Sequence, residues 1–315
     1  MHWKKCGQAE MRLGRCGNMN KQYKSSLLLF VTAIIWGVAF VAQDVGMDYW
    51  SPLAFNGIRS IIGAVVLLPF IFYRDTKKGE NRCKWSNPTL IKGGVLCGLA
   101  LCIATNYQQV GIQLSNDSAG KAGFITAFYI VLVPIFGIFL KKKCPPQAWL
   151  GAVLATVGLY ILCIPQGEKF SVEYADILVF ICAVVFTFQI LFVDRYSPKV
   201  DGVKLACIQF LTTGVISLTL AFLTGSFGIS TATDAWIAIL YAGVLSSGVA
   251  YTLQIVAQKN LNPTVASIIM SLEACVSVVA AWVILGDAMN ARQITGCVIM
   301  FGAIILAQIP GKEKK

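Results

Sequence analysis

Ten stretches of about 19 apolar residues constrain this chain most, because a segment of that length can cross a bilayer as a helix. Short loops with turn residues such as Ser51-Pro52 and Pro145-Pro146 separate them, and no stretch remains for a soluble domain. Only 13% of the 315 residues are charged, against about a quarter in soluble domains. The sequence therefore predicts an all-α integral membrane protein with ten transmembrane helices. The windows cover residues 25–43, 51–73, 90–110, 118–140, 147–164, 174–193, 203–223, 235–257, 264–285 and 291–309.

The positions of Lys and Arg predict the orientation of these helices. If the N-terminus is cytoplasmic, 22 of the 26 Lys and Arg residues fall on that side, and only Lys169 and Arg292 fall on the other. This bias is a positive-inside signal, and with an even number of spans it places both termini in the cytoplasm. The net charge of +11 then reflects the orientation of the helices in the membrane, because the Lys and Arg residues lie at the ends of apolar segments. The sequence therefore predicts no nucleic-acid partner.

Residues 1–24 are predicted to be a basic cytoplasmic tail ahead of the first window. That window is longer than the apolar region of a signal peptide, so we expect the first helix to be retained. Met19 begins the stretch MNKQYKSS and would be a natural start. Residues 1–18 are therefore either a mis-assigned start or a disordered basic tail.

The chain repeats itself at a shift of 145 residues for windows three to five, and of about 150 for the first two. The shifts pair Gln109 with Gln254, Gln113 with Gln258, Thr126 with Ser271, Gly151 with Gly296, Asp44 with Asp194, and Arg59 with Gln209. Together these matches predict a five-helix unit present twice, over residues 25–164 and 174–309. Because five is odd, the second copy is inverted in the membrane, as in many secondary transporters with a binding site at the midplane between the halves.

Four stretches of the chain resemble the drug/metabolite transporter superfamily, in particular its EamA-type members. These stretches are WGVAF at residues 36–40, residues 52–59, FITAFYIVLVPIFGIFLKKK at 124–143, and SLEACVSVVAAWVILGD at 271–287. The resemblance spans about residues 25–309. It implies two EamA repeats and a plasma-membrane exporter of small organic metabolites, such as amino acids or drug-like solutes, that works by alternating access without a cofactor. The chain departs from the pattern at Ala274, where many relatives have Pro.

Glu273 lies near the middle of the ninth window. An acidic side chain there costs about 2.5 to 3.5 kcal/mol on insertion scales, so such residues usually face a protein interior or a wet cavity. We predict that Glu273 binds a cationic or amino group of a substrate, or carries a proton that drives transport. The alternative is a structural acid that is hydrogen-bonded between helices.

Two basic residues lie within predicted helices. Arg59 is about eight residues into the second window, where it could pair with an anionic substrate group or with Glu273, or else pack against backbone carbonyls. Lys121 is only a few residues into the fourth window and within i,i+4 reach of Asp117. We expect Lys121 to extend to the outer interface, or to act at a gate if its helix begins earlier.

Aromatic and amide side chains recur near the middle of several windows. Aromatic residues at helical spacing often pack rather than bind, while amides in a membrane bond across helices or hydrate a pathway. As a set they favour a polar central cavity. The predicted substrate-binding residues, besides Glu273 and Arg59, are Trp36, Tyr107, Tyr129, Tyr251, Gln109 and Gln254.

Other functional classes find little support in the sequence. The only histidine is His2, the eleven cysteines form no CxxC pair, and no GxxxxGK[ST] pattern occurs, so neither a metal site, a catalytic residue nor P-loop ATP hydrolysis is predicted. A non-transporting sensor or interaction protein is the main alternative to a transporter, and a channel is the third. Proton coupling and a homodimer both remain open.

Overall fold

The computed structural model describes residues 2–78, 84–114, 119–142, 144–164, 173–228, 232–285 and 289–309. Within these ranges the side chains of residues 2–20, 78, 119–122, 234, 281, 284 and 285 lie outside the description. The first repeat contains α1 (His2–Met47), α2 (Pro52–Lys78), α3 (Pro88–Leu114), α4 (Ala119–Thr126), α5 (Tyr129–Phe139) and α6 (Pro146–Cys163).

The second repeat contains five shorter helical segments besides its three long helices. It is built from α7 (Tyr174–Tyr196), α8 (Gly202–Leu223), α9 (Thr233–Leu240), a π-helix (Tyr241–Tyr251), α10 (Thr252–Gln258), α11 (Pro263–Met270), α12 (Leu272–Leu285) and α13 (Ala291–Gln308). In the described part of the chain, nine helices are long and apolar enough to cross a membrane, and Gly123–Phe139 is a shorter apolar helix. The predicted fold of ten transmembrane helices in two inverted repeats is confirmed.

The starts of the helices follow from local sequence. Pro52, Pro88, Pro146 and Pro263 stand at first helical positions, where the N–H that proline lacks would have no helical partner. The side chain of Asp201 accepts hydrogen bonds from the N–H groups of residues 203 and 204 and so caps α8. The turn residues that separated the apolar windows therefore also fix where the helices begin.

Two transmembrane helices that the sequence predicted as continuous are interrupted. The fourth breaks at residues 127–128, between α4 and α5, and the ninth breaks at Ser271, between α11 and α12. At both breaks hydrogen bonds tighten to i→i−3, from Phe128 N–H to the Ile125 carbonyl and from Ala274 N–H to the Ser271 carbonyl. The Ser271 hydroxyl also donates to the Ile268 carbonyl at 2.7 Å, a side-chain bond that bends helices. No proline is needed for this break.

Close helix contacts follow the same two shifts that the sequence showed. A Cβ on Gly98 would lie 2.6 Å from the Gln209 carbonyl oxygen, and a Cβ on Gly243 would lie 3.2 Å from that of Arg59. The 145-residue shift carries Gly98 to Gly243, and the 150-residue shift carries Arg59 to Gln209. Each contact is thus the counterpart of the other across the pseudo-two-fold axis, and both need a residue without a side chain.

The pair formed by α6 and α13 shows the same symmetry. A Cβ on Gly296 would lie 2.8 Å from the Gly158 carbonyl oxygen, and one on Gly151 would lie 3.0 Å from that of Ala303. The 145-residue shift exchanges these two contacts. The repeats therefore pack by matched backbone approaches.

Candidate functional site

A cavity lies between the two repeats. Both interrupted helices and the π-helix contribute to its walls. The lining residues are Trp36, Phe40, Gln43, Arg59, Gln108, Thr126, Tyr129, Phe186, Gln189, Ile190, Ser246, Tyr251, Gln254, Met270 and Glu273.

The cavity collects most of the predicted substrate-binding residues. Glu273, Arg59, Trp36, Tyr129, Gln254 and Tyr251 all line it. Tyr107 is 39% exposed, and Gln109 is fully buried and does not reach the lining. Lys121 lies in α4, but its side chain is outside the described residues. The roles of all these residues in binding stay predictions.

Glu273 and Tyr129 meet directly beside the two helix breaks. Tyr129 is the first residue of α5 and Glu273 is the second of α12, and the Tyr129 hydroxyl donates to Glu273 Oε1 at 3.2 Å. Glu273 is only 9% exposed, and the Tyr129 hydroxyl is its hydrogen-bond partner among the described side chains.

Arg59 is held by a neutral partner. Its Nη1 donates to Gln43 Oε1 at 3.1 Å, and Gln43 Nε2 donates to the Ala39 carbonyl at 3.3 Å. The guanidinium carbon lies 5.8 Å from the centre of the Phe55 ring. Among the described side chains, neither Arg59 nor Glu273 forms an ion pair, so the predicted pairing of these two residues does not occur in this structure. The cavity keeps one positive and one negative side chain without a counter-ion.

An aromatic wall and the amides complete the cavity. The rings of Trp36 and Tyr251 lie 4.5 Å apart, and Trp36 Nε1 donates to the Ser246 carbonyl at 3.3 Å. Three glutamines form a hydrogen-bonded chain at the cavity. Gln254 Nε2 donates to Gln189 Oε1 at 3.4 Å, and Gln189 Nε2 donates to Gln209 Oε1 at 3.3 Å. The cavity can thus bind an apolar group beside charged and polar groups.

Gln43 is a cavity residue that the sequence reasoning missed. Trp36, Phe40 and Gln43 have the spacing i, i+4, i+7, which places them on one face of α1. Once Trp36 is a candidate, this spacing is the signal that points to the other two residues.

The EamA-like transporter family matches the chain twice, over residues 24–164 and 173–308. The chain belongs to this family. An uncharacterized transporter of Archaeoglobus fulgidus is 29% identical over 92% of this chain and 87% of its own length. The uncharacterized inner membrane transporter YedA of Escherichia coli K12 is 22% identical over 89% of both chains. The resemblance read from the sequence is thereby confirmed, and membership of a transporter family fits a protein that is not an enzyme.

A further transporter relative and a solved structure are also similar to this EamA-family chain. The S-adenosylmethionine uptake transporter of Rickettsia felis is 24% identical over 92% of this chain and 96% of its own length. A solved crystal structure with 16% identity superposes with a TM-score of 0.76 over 91% of this chain and 97% of the other, which supports the fold.

Ion pairs also join the two repeats of this EamA-family protein away from the cavity. Arg74 Nη2 lies 2.5 Å from Asp201 Oδ2, and Lys204 Nζ lies 2.7 Å from Asp75 Oδ2. Burial raises the pKa of Asp201, but the hydrogen bond from Arg74 and those from the start of α8 outweigh it. The pKa of Asp201 therefore lies below its ordinary value of 3.8.

A further ion pair forms where α5 and α7 end. Lys142 Nζ lies 2.5 Å from Asp194 Oδ2. Like the other two pairs, it joins a residue of the first repeat to one of the second. Each of these three pairs joins opposite charges in direct contact, whereas Arg59 and Glu273 have no ion-pair partner among the described side chains.

Proposed function

We propose that this protein is a secondary transporter for a small zwitterionic organic solute, such as an amino acid, and that the solute binds in the cavity between the repeats. The observation that carries the proposal is the presence of Arg59 and Glu273 on the cavity walls without an ion pair between them. Arg59 would bind the carboxylate of the solute and Glu273 its ammonium group.

The free-energy cost of charges in a membrane supports this assignment. A buried charge is costly unless an opposite charge or hydrogen bonds compensate it. Arg59 is 4% exposed, yet its described hydrogen bond goes to a neutral amide. A solute with one positive and one negative group would compensate both side chains, and the Trp36–Tyr251 wall would contact its apolar part.

We propose that the protein works by alternating access, which the inverted repeats support. When the two halves exchange conformations, a site between them opens first to one side of the membrane and then to the other. The interruptions at residues 127–128 and at Ser271 lie beside the site and could serve as hinges. A proton on Glu273 is our proposed coupling ion, since the carboxylate could release its proton when an ammonium group arrives.

The comparisons support a solute with these groups. The Rickettsia felis relative is named for S-adenosylmethionine, which carries an α-amino group and a carboxylate. Export across the plasma membrane, with both termini in the cytoplasm, is the direction and topology that we propose from the sequence. The Rickettsia felis relative is named for uptake, and efflux and accumulation measured in the same cells test the proposed direction.

A thermal-shift screen followed by counterflow tests the proposal. Purified protein is screened against α-amino acids, nucleosides, polyamines and quaternary amines. A ligand that binds only the folded state stabilises it by about 2.7 kcal/mol at 100 times its Kd. We expect zwitterionic amino acids to stabilise the protein and to show saturable counterflow in proteoliposomes. Binding without counterflow would indicate a sensor, flux that does not saturate would indicate a channel, and stabilisation only by polyamines would contradict a zwitterionic substrate.

A further inference from the structure

The geometry points to Gln43 as a specificity-determining residue, which holds Arg59 at the cavity wall and leaves the positive charge of Arg59 free for a carboxylate of the solute. This inference rests on the proposed function. Gln43 lies on α1 and Arg59 on α2, and both line the cavity. Gln43 therefore acts through Arg59, as a positioning residue.

The contacts of Gln43 fix the direction of its side chain. Its Nε2 donates to the Ala39 carbonyl one turn earlier in α1, which turns Oε1 toward Arg59 Nη1. A guanidinium has five N–H donors, and the bond to Gln43 uses one of them. The others are available to bind two carboxylate oxygens in parallel, the geometry that arginine favours.

The neutrality of Gln43 is the important property. A Glu at this position would have nearly the same shape and could accept the same hydrogen bond, but it would form an ion pair with Arg59. The charged groups of the cavity are Arg59 and Glu273, and they balance. With Glu at position 43 the cavity would carry a net negative charge, and its complement would be a cation instead of a zwitterion.

Gln43→Glu tests this role with three probes that share an aromatic ring and differ in charge. L-Phenylalanine is a zwitterion, L-phenylalaninamide a cation and 3-phenylpropionate an anion, and binding is measured at about pH 6, where the α-amino groups are protonated. We expect Gln43→Glu to lower the affinity for phenylalanine at least about tenfold, because a charge-assisted bond to the carboxylate is lost. The affinity for the amide should rise relative to that for phenylalanine.

Two further variants separate positioning from net charge. Gln189→Glu adds the same charge to the cavity at a residue bonded to Gln209 and Gln254. An equal change of preference in Gln189→Glu and Gln43→Glu would overturn the role of Gln43. Gln43→Met keeps the length of the side chain without the oxygen, so it should weaken binding of phenylalanine and phenylpropionate but not of the amide.

The outcomes distinguish this inference from the proposed function. If thermal unfolding without ligand shows that Gln43→Glu does not fold, phenylalanine binding by Gln43→Met tests the inference in its place. Phenylalanine binding that is unchanged in Gln43→Met would overturn the inference while leaving the proposed function in place. If the unaltered protein is stabilised by none of the three probes, the proposed function fails for this solute class and the role of Gln43 fails with it.

Discussion

The two repeats agree in their packing and differ in their charges. Gly98 and Gly243 occupy equivalent positions and approach equivalent backbone carbonyls. At the cavity, however, Arg59 of the first repeat corresponds to Gln209 of the second, and Glu273 corresponds to Phe128. A symmetric scaffold thus carries an asymmetric site. We propose that such a site binds a solute whose ends differ in charge, and that the packing shared by the two halves supports an exchange of conformations between them.

The largest effect is expected for Glu273→Gln, which removes the negative charge that the equivalent position in the first repeat lacks. Glu273→Gln keeps the shape of the side chain and an oxygen that can accept from Tyr129, but it removes the charge that would bind an ammonium group. Hydrogen bonds to charged groups contribute about 1.5 to 3 kcal/mol, so counterflow should fall about 10- to 150-fold. Flux in proteoliposomes measures this change.

The equivalent position provides the control. Phe128 packs against Phe124 and Phe180 and does not line the cavity, so Phe128→Leu should change flux far less than Glu273→Gln. Near-normal flux in a well-folded Glu273→Gln protein would remove Glu273 from the transport mechanism and leave it as a structural acid.

A smaller loss is expected when Arg59 is replaced by the amide found at its equivalent position. Arg59→Gln should lower the affinity for zwitterionic solutes about tenfold or more, because the carboxylate loses its charged partner. Arg59→Lys keeps the charge without the planar fork and should retain part of the affinity. Titration of each variant with the same amino acid measures the difference, and equal affinity of Arg59→Gln and the unaltered protein would refute the assignment of Arg59.

The sequence predicted the symmetric part of this comparison better than the site. Apolar windows and matched residues predicted the ten helices and the inverted repeat, because bilayer thickness and close packing constrain every span. Glu273 and Arg59 could also be found, since charges in apolar windows stand out. Periodicity does not reveal side-chain partners, so Gln43 was missed and Tyr107 was placed in the cavity. The break at Ser271 depends on a local side-chain bond, and apolar windows carry no sign of it.

The symmetric glycines should be equally sensitive to a methyl group. A Cβ at Gly98 would lie 2.6 Å from the Gln209 carbonyl oxygen, and one at Gly243 would lie 2.7 Å from Ile62 Cγ2. Overpacking of this kind costs about 1 to 3 kcal/mol, so Gly98→Ala and Gly243→Ala should lower the unfolding temperature by similar amounts. Apart from the neighbouring backbone of its own helix, no described atom lies within 4 Å of a Cβ on Gly302, and Gly302→Ala is the matched control. Unequal losses at the two sites would show that the repeats do not pack equivalently.

The smallest effect concerns the residues that cap the equivalent helices α2 and α8. The Ser51 hydroxyl accepts from Ala54 N–H at 3.3 Å, and Asp201 caps α8 but also binds Arg74. The 150-residue shift pairs Ser51 with Asp201. Asp201→Ser therefore gives the second repeat the uncharged cap of the first and removes the ion pair together with the negative charge at the start of α8, which should cost about 1 kcal/mol.

The acid dependence of stability tests whether charge distinguishes these two caps. The pKa of Asp201 in the folded protein lies below its ordinary value of 3.8, so its ionised form stabilises the fold above pH 3.8. This contribution is lost as the pH falls below 3.8 and through the folded-state pKa. The difference in unfolding temperature between the unaltered protein and Asp201→Ser should accordingly shrink in that range and stay constant near neutral pH. A difference that persists after Asp201 is protonated would come from the cap itself, and Asp201→Ala, which removes both interactions, would then show how much the cap contributes.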